Sequence, residues 1–317
     1  MPMTRTVLLV CLASALSIAL LAIPRGSAAH ASEDMDDDLQ AEIEQLVNGF
    51  QGDVGIYVRH LETGESAALN ADSLFPTASM IKVPILLKTF DAIDRGELDY
   101  DQKLTYRDSL HYPGDDLLGS FRDGEPLPLS KAVLLMQTTS DNTASLWLQH
   151  LSGTGAAINE WLADHGFEST RVNSRTDGRT DDWERYGWGQ TTPREMAELV
   201  TLIRNGEAVS AAASEEMYRI LTRTYWDEEA LSQIPPTVQA ASKQGFVSHS
   251  RSEVVLVNAP SGDYVFCIIT KNQEDQRRAY DNEGFVLIRD LSRLLWTHFE
   301  PDSDWEPAEG LEPYRAR

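Results

Sequence analysis

The chain has 317 residues, 50 acidic against 27 basic, and 42% of them apolar, enough to fill a buried core in one large or two closely packed domains. Global disorder, collagen-like repetition and low complexity are excluded. The formal net charge of −23 repels phosphate backbones and anionic lipid headgroups, so neither nucleic acid nor a membrane surface is an expected partner.

In chain order, the first segment stands apart from the fold. Arg5 supplies a positive start, residues 6–23 form an apolar run rich in Leu and Ala, and Pro24, Gly26 and Ser27 break it ahead of Ala29-His30-Ala31, an A-x-A cleavage signature. As a transmembrane anchor the run barely meets the length requirement. A cleaved signal over 1–31 is therefore expected, with secretion or release into the periplasm after cleavage near Ala31 and no membrane association afterwards. Its loss removes Arg5 and Arg25 but no acid, which widens the acidic excess. Of the two cysteines, Cys11 leaves with this segment, and Cys267 lies in the apolar run 265–269. No disulfide is expected in the mature chain, and Cys267 reads as an inert core residue.

After an acidic leader, Leu39, Ile43, Leu46, Val47 and Phe50 recur at helical spacing, closed by Gly49 and Gly52. Residues 54–60 and 65–69 read as a hairpin around Glu62-Thr63-Gly64. From Ser79 to about Arg204 the apolar period is helical, and Thr192-Pro193-Arg194-Glu195 pairs a capping box with Pro at the first helical position of a helix reaching Gly206. Residues 253–257 and 264–270 are β-branched runs joined by 258–263, an antiparallel hairpin. A last helix carries Val286, Arg289, Asp290, Arg293 and Leu294 and fades near Phe299, before a loose acidic tail over 300–317. Strands at both ends around a helical insert predict an α/β fold: an antiparallel β-sheet flanked by N- and C-terminal helices, with an inserted all-helical subdomain. The domain spans 32–299, with a sheet part over about 50–72 and 210–299 and a helical part over about 73–209.

The seven histidines are scattered and none is spaced as a metal pair; no metal or cofactor is expected. There is neither a Gly-rich phosphate loop nor a G-x-S-x-G elbow, which leaves nucleophiles activated without histidine. In Ser79-Met80-Ile81-Lys82 a helix starting near Ser79 puts the hydroxyl and the amine one turn apart on one face. The helix dipole favours a developing alkoxide there, and desolvation by Met80, Ile81 and Ile85 lowers the Lys82 pKa toward that of a general base. Alone, S-x-x-K arises about once by chance in such a chain and also fits a helix start with a surface lysine. Ser140-Asp141-Asn142 falls at an interhelix turn, where it fits either a helix N-cap or a proton shuttle (Ser140) beside an amide holder (Asn142). Lys243-Gln244-Gly245 precedes the terminal hairpin and fits either a ligand-approaching strand or a lysine before a glycine kink.

In order and spacing these three segments resemble the class A β-lactamase family of penicillin-recognising serine enzymes, whose motifs are S-x-x-K, S-D-N and K-T-G. The resemblance runs over about 39–299 and includes the Thr191-Thr192-Pro193 helix start. It implies an acylated Ser79, Lys82 as general base, Ser140 as proton donor to the leaving nitrogen, Asn142 on the substrate side chain and Lys243 on its carboxylate. Gly245 lets the strand approach the substrate, and the backbone N–H groups of Ser79 and Phe246 form an oxyanion hole. The implied substrate is a small acyl donor, a β-lactam or a peptidoglycan-like peptide, acted on by a monomer.

Three departures qualify that implication. Ungapped alignment between Thr170-Arg171 and Thr192-Pro193 puts Thr176 where the family carries a water-activating glutamate, and Thr180 at its partner asparagine. Asp177, Asp181, Asp182 and Glu184 stand nearby, most simply as a solvated acidic loop. Gln244 replaces the hydroxyl residue of K-T-G, and Arg251 is one residue early for the family's arginine, so its side chain is expected to face away. Two other readings stay open: a penicillin-binding DD-peptidase or esterase with slow β-lactam turnover, and a non-catalytic cell-wall-binding relative.

Overall fold

The computed structural model describes residues 33–114 and 116–310; the expected signal over 1–31 lies outside the described residues. Strands are β1 (Asp34–Met35), β2 (Asp53–His60), β3 (Glu65–Leu69), β4 (Phe75–Pro76), β5 (Lys103–Thr105), β6 (Pro126–Pro128), β7 (Arg171–Val172), β8 (Gly189–Thr191), β9 (Ala240–Val247), β10 (Ser250–Ala259) and β11 (Gly262–Lys271). Helices are α1 (Asp37–Leu46), α2 (Lys82–Asp94), α3 (Leu129–Thr138), α4 (Asn142–Leu151), α5 (Thr154–Asp164), α6 (Thr180–Tyr186), α7 (Pro193–Asn205), α8 (Ala211–Leu221) and α9 (Glu283–Phe299). A sheet in the order β1-β3-β2-β11-β10-β9 joins strands from 34–69 with strands from 240–271. It is antiparallel throughout except for β1, a two-residue edge strand that pairs parallel with β3.

Both faces of this sheet are covered, which explains why its central strands read as unbroken apolar runs. On β10, Val254 and Leu256 face the helical half, while Val255 and Val257 face α1 and α9. On β11, Val265, Cys267 and Ile269 alternate in the same way with Tyr264, Phe266 and Ile268. Cys267 is fully buried and its thiol is pushed well up by desolvation, in keeping with an inert role.

Several elements depart from their sequence reading. In α9 the stripe that seats on the sheet is Leu287, Leu291 and Leu295 with Ile288 and Trp296; of the residues read from sequence, only Arg289 is buried, held by Glu229 and Tyr280 O. The β10–β11 connection tightens to Pro260-Ser261 because Asn258 and Asp263 stay in the ladder, bonded to each other at 2.8 Å. Thr192 caps α7 through the N–H of Glu195, but the Glu195 carboxylate does not return to Thr192. It accepts from the N–H groups of Glu168, Ser169 and Thr170 instead, fastening the 168–170 loop. α8, on the sheet side of the boundary at 209/210, joins the helical core through Met217, Ile220 and Leu221. Of the tail over 300–317, the described part to 310 is held at Trp305, which is half-buried, packs on the core and accepts through its carbonyl from Arg293 at 3.1 Å, while its other residues are mostly exposed.

Beside α9, Glu253 is buried on the sheet with its carboxylate on Ser242 Oγ and the Ala230 N–H. Desolvation pushes its carboxyl up to about 7 against those two hydrogen bonds, and pushes neighbouring Glu229 up to about 8 against the opposing pull of Arg289. Folded carboxyls that keep their protons above the ordinary range stabilise the fold at low pH, and that contribution is lost as pH rises through the folded values. Melting temperature is expected to carry a decline between about pH 5 and 8 that Glu253→Gln flattens. An unchanged slope in that variant would count against a protonated Glu253.

Candidate active site

Ser79 sits in a single 3₁₀ turn, Ala78–Ile81, that leads into α2. The turn is pinned from two sides. Thr77 N–H donates to Gly189 O on β8 at 2.9 Å, and β9 presses against the turn at Gly245. A Cβ on Gly245 would lie 2.8 Å from both Ser79 N and Thr77 O and 2.9 Å from Ser252 Oγ, so only glycine admits this approach. Ala78 just before the nucleophile has φ +43°, and Ser140 has φ +62°. Strain of this kind costs on the order of 1–3 kcal/mol per residue and persists only where the surroundings enforce it. Pro84 falls within the first turn of α2, where its missing N–H would have had no helical partner.

The three motifs meet on one chain of hydrogen bonds. Lys82 Nζ donates toward Ser79 Oγ at 3.0 Å, Ser140 Oγ at 3.0 Å and Asn142 Oδ1 at 2.9 Å, and also toward Ser140 O. Lys243 Nζ reaches the same Ser140 Oγ from the opposite side at 3.1 Å. Both lysines are fully buried, whereas Ser79, Ser140 and Asn142 are half-buried. Desolvation lowers Lys82 to about 7, with Asp116 and Asp141 opposing it. Lys243 is held well below its ordinary value, first by desolvation and then by Lys82, against the pull of Glu253.

Above this floor opens a cleft of about 830 Å³ lined by Ser79, Asn142, Phe246, Tyr112, Trp188 and Arg185, among others. Ser79, Lys82, Ser140, Asn142, Lys243, Gly245 and Phe246 thus converge here. Arg251 does not: it is buried, its guanidinium given to the carbonyls of Val247, Ser250 and Arg277, with the Phe285 ring 4.8 Å away.

Thr176 also turns from the nucleophile. Its hydroxyl donates to Ser174 O, its Oγ1 occupies the space beside Gly155 of α5, and it lines a separate pocket behind the edge-on pair Tyr112–Trp188. Asp177, Asp181 and Glu184 are exposed, and Asp182 pairs with Arg179 at 3.1 Å. Two carboxylates act on Lys82, Asp141 of the S-D-N turn and Asp116, which the sequence does not single out. Asp116 accepts from the N–H groups of Asn142 and Thr143 at 2.9 and 2.8 Å, and Asp141 from those of Ala144 and Leu118 at 2.7 and 2.9 Å. Asp141 has a local signal, as an N-cap; Asp116 has none, because its partners lie 26 and 27 residues away.

A family model described as the beta-lactamase enzyme family matches residues 38–299. The chain belongs to that family. Beta-lactamase VEB-1 of Pseudomonas aeruginosa is 22% identical to it over 274 residues, covering 83% of this chain and 91% of the relative. Among solved structures, PBP-A superposes with a TM-score of 0.76 at 29% identity, covering 86% of this chain and 99% of that one. A beta-lactamase from Sphaerobacter thermophilus superposes at 0.74 with 25% identity, over 83% and 98% of the respective chains. This beta-lactamase-family protein is a serine hydrolase of the class A type.

Gly245→Ala tests the strand approach. Backbone atoms of Thr77 and Ser79 cannot rotate away from a new Cβ, so β9 must retreat from the nucleophile. Acylation is expected to slow by about a hundredfold or more, as for a misplacement near 1 Å, with the circular dichroism spectrum retained. Acylation at the wild-type rate would mean that the approach is not needed.

Proposed function

We propose that the protein is an exported acyl-serine hydrolase in which Ser79 is the nucleophile, and that its acyl-enzyme is released slowly, as in a penicillin-binding enzyme. The observation that carries the reading is the continuous path Ser79 Oγ–Lys82 Nζ–Ser140 Oγ, 3.0 Å at each step. Neutral Lys82 takes the Ser79 proton as Oγ bonds to the acyl carbon. The charge that develops on the acyl oxygen faces the backbone N–H groups of Ser79 and Phe246. The bond to the leaving nitrogen or oxygen then breaks. Ser140 gives that atom its proton and is reprotonated by Lys82, so Lys82 returns to its neutral form. Water completes the cycle by splitting the Ser79 ester: its hydroxyl goes to the acyl carbon and its proton to Ser79 by way of Lys82.

Slow release is supported by the loop. Thr176 faces Gly155 and Ser174, and no acidic residue of 176–184 lines the Ser79 cleft. Asp116 and Asp141 are engaged by the start of α4 and offer no free base for a water. A PBP-A point mutant has been captured as an acyl-enzyme with penicillin G, at 28% identity to this chain, which supports a β-lactam or a peptidoglycan-like peptide as acyl donor here. The apolar run and A-x-A signature of residues 1–31 support export.

Intact-protein mass spectrometry with a penicillin tests both parts. An adduct at Ser79 that accumulates and persists is expected; one that clears within seconds would overturn slow release. Ser79→Ala is expected to lose all labelling while melting near the wild-type temperature, and labelling that survives the change would remove Ser79 as nucleophile. Because the active Lys82 is the neutral form, labelling should rise with pH and level off above about 7, with about a tenfold fall per pH unit below it. A flat rate from pH 5 to 9 would exclude Lys82 as the base.

A further inference from the structure

A second question at this site is which acyl donors its binding end accepts. Selection among donors here presupposes the acyl-Ser79 enzyme proposed above. A lysine side chain has at most three donors. Lys243 Nζ spends them on Ser140 Oγ at 3.1 Å, Gln244 O at 2.9 Å and Gln244 Oε1 at 2.9 Å. All three partners belong to the protein. The group that resemblance assigns to a substrate carboxylate is therefore already saturated, and one of its partners is a side-chain carbonyl in the place of the family's hydroxyl.

Among the described residues one guanidinium stands beside Gln244: Arg278 lies over the Phe246 ring at 4.5 Å, exposed and screened by water, and does not take the Lys243 position. The other neighbouring groups are engaged within the protein. Arg251, the nearest guanidinium in sequence, is 1% exposed and bound to three backbone carbonyls. Ser252 Oγ donates to Gly245 O at 3.0 Å. Lys271 lines the cleft but donates to Leu74 O at 2.9 Å and lies over the Phe75 ring. Arg185 lines it as well, over the Tyr186 ring. An incoming carboxylate would have to lose its water shell and also evict the Gln244 amide, whereas a neutral ester or amide has far less hydration to lose. The acidic excess of the chain adds a long-range penalty for anionic donors at low salt.

We propose that Gln244 is a specificity-determining residue whose carboxamide oxygen fills the anion position on Lys243, so that Ser79 selects acyl donors with an uncharged ester or amide, rather than a free carboxylate, beside the scissile bond. The covalent step is the one given above, with no added reactant. Only the group facing Lys243 differs.

The test compares labelling rates of the full chain by benzylpenicillin and by its methyl ester, two donors that share the reactive ring and differ in this one charge. The ester is expected to label at least as fast as the acid. Gln244→Thr, which withdraws the amide and restores a hydroxyl, is expected to raise the acid-to-ester ratio by about tenfold or more, the worth of one charge-assisted hydrogen bond. Gln244→Glu keeps the position filled with a fixed negative charge and is expected to lower that ratio by a similar factor. A general loss of structure would slow both donors alike and leave the ratio unmoved, so the ratio separates selectivity from folding. A wild-type rate with the acid about tenfold above the ester, or a ratio unchanged in a Gln244→Thr variant that melts near the wild-type temperature, overturns the assignment of Gln244 while leaving the acyl-serine reading intact. No adduct from either donor, nor from an activated phenyl ester, overturns both.

Discussion

Two lysine side chains, fully buried and arriving from opposite sides, share the hydroxyl of Ser140. Burying one ammonium group is costly, and burying two together adds their repulsion. The cost is reduced by a lowered pKa at both lysines, to about 7 for Lys82, and by surrounding both with oxygen acceptors. Much of the local architecture serves that end. The turn at Ser140 offers its carbonyl and hydroxyl to Lys82, Asn142 adds a side-chain oxygen, and Asp116 and Asp141 sit close enough to temper the desolvation while being held by backbone N–H groups.

This arrangement needs elements distant in sequence, and the sheet provides them. β9 is an edge strand, so Lys243 projects toward the helical half from the rim of a rigid platform covered on both faces. α2 is buried over most of its length and carries Lys82 at its first position. α4 starts at Asn142 and brings the S-D-N turn between them. The chemistry thus lies where sheet and helices meet, and each group is held by an element that cannot shift without disturbing a core.

The three motifs were legible because each rests on a short-range rule: one helical turn between Ser79 and Lys82, an N-cap at Asp141, a glycine where a strand meets a turn. Strand pairing was legible for a similar reason, since β10 and β11 are neighbours in sequence. What escaped depends on distant partners. Asp116 finds Asn142 and Thr143 only after folding, and Glu195 abandons its own helix start for the loop at 168–170. The stripe in α9 was misplaced because Arg289 and Arg293, marked as part of one face, are held by Glu229 and by the segment at Trp305 rather than by the apolar layer. Likewise Gln244 reads in sequence only as a lost hydroxyl, and its bond to Lys243 appears once the side chains are placed.

The left-handed backbone at Ala78 and Ser140 bears on how this protein can change over time. Glycine at either position would relax the conformation and also enlarge the set of shapes available to the turn that aims Ser79 or Ser140. Sequence drift toward greater thermal robustness therefore works against reactivity at these two sites. Lineages that keep the chemistry should keep side chains other than glycine there, and lineages that have abandoned it are free to let them go.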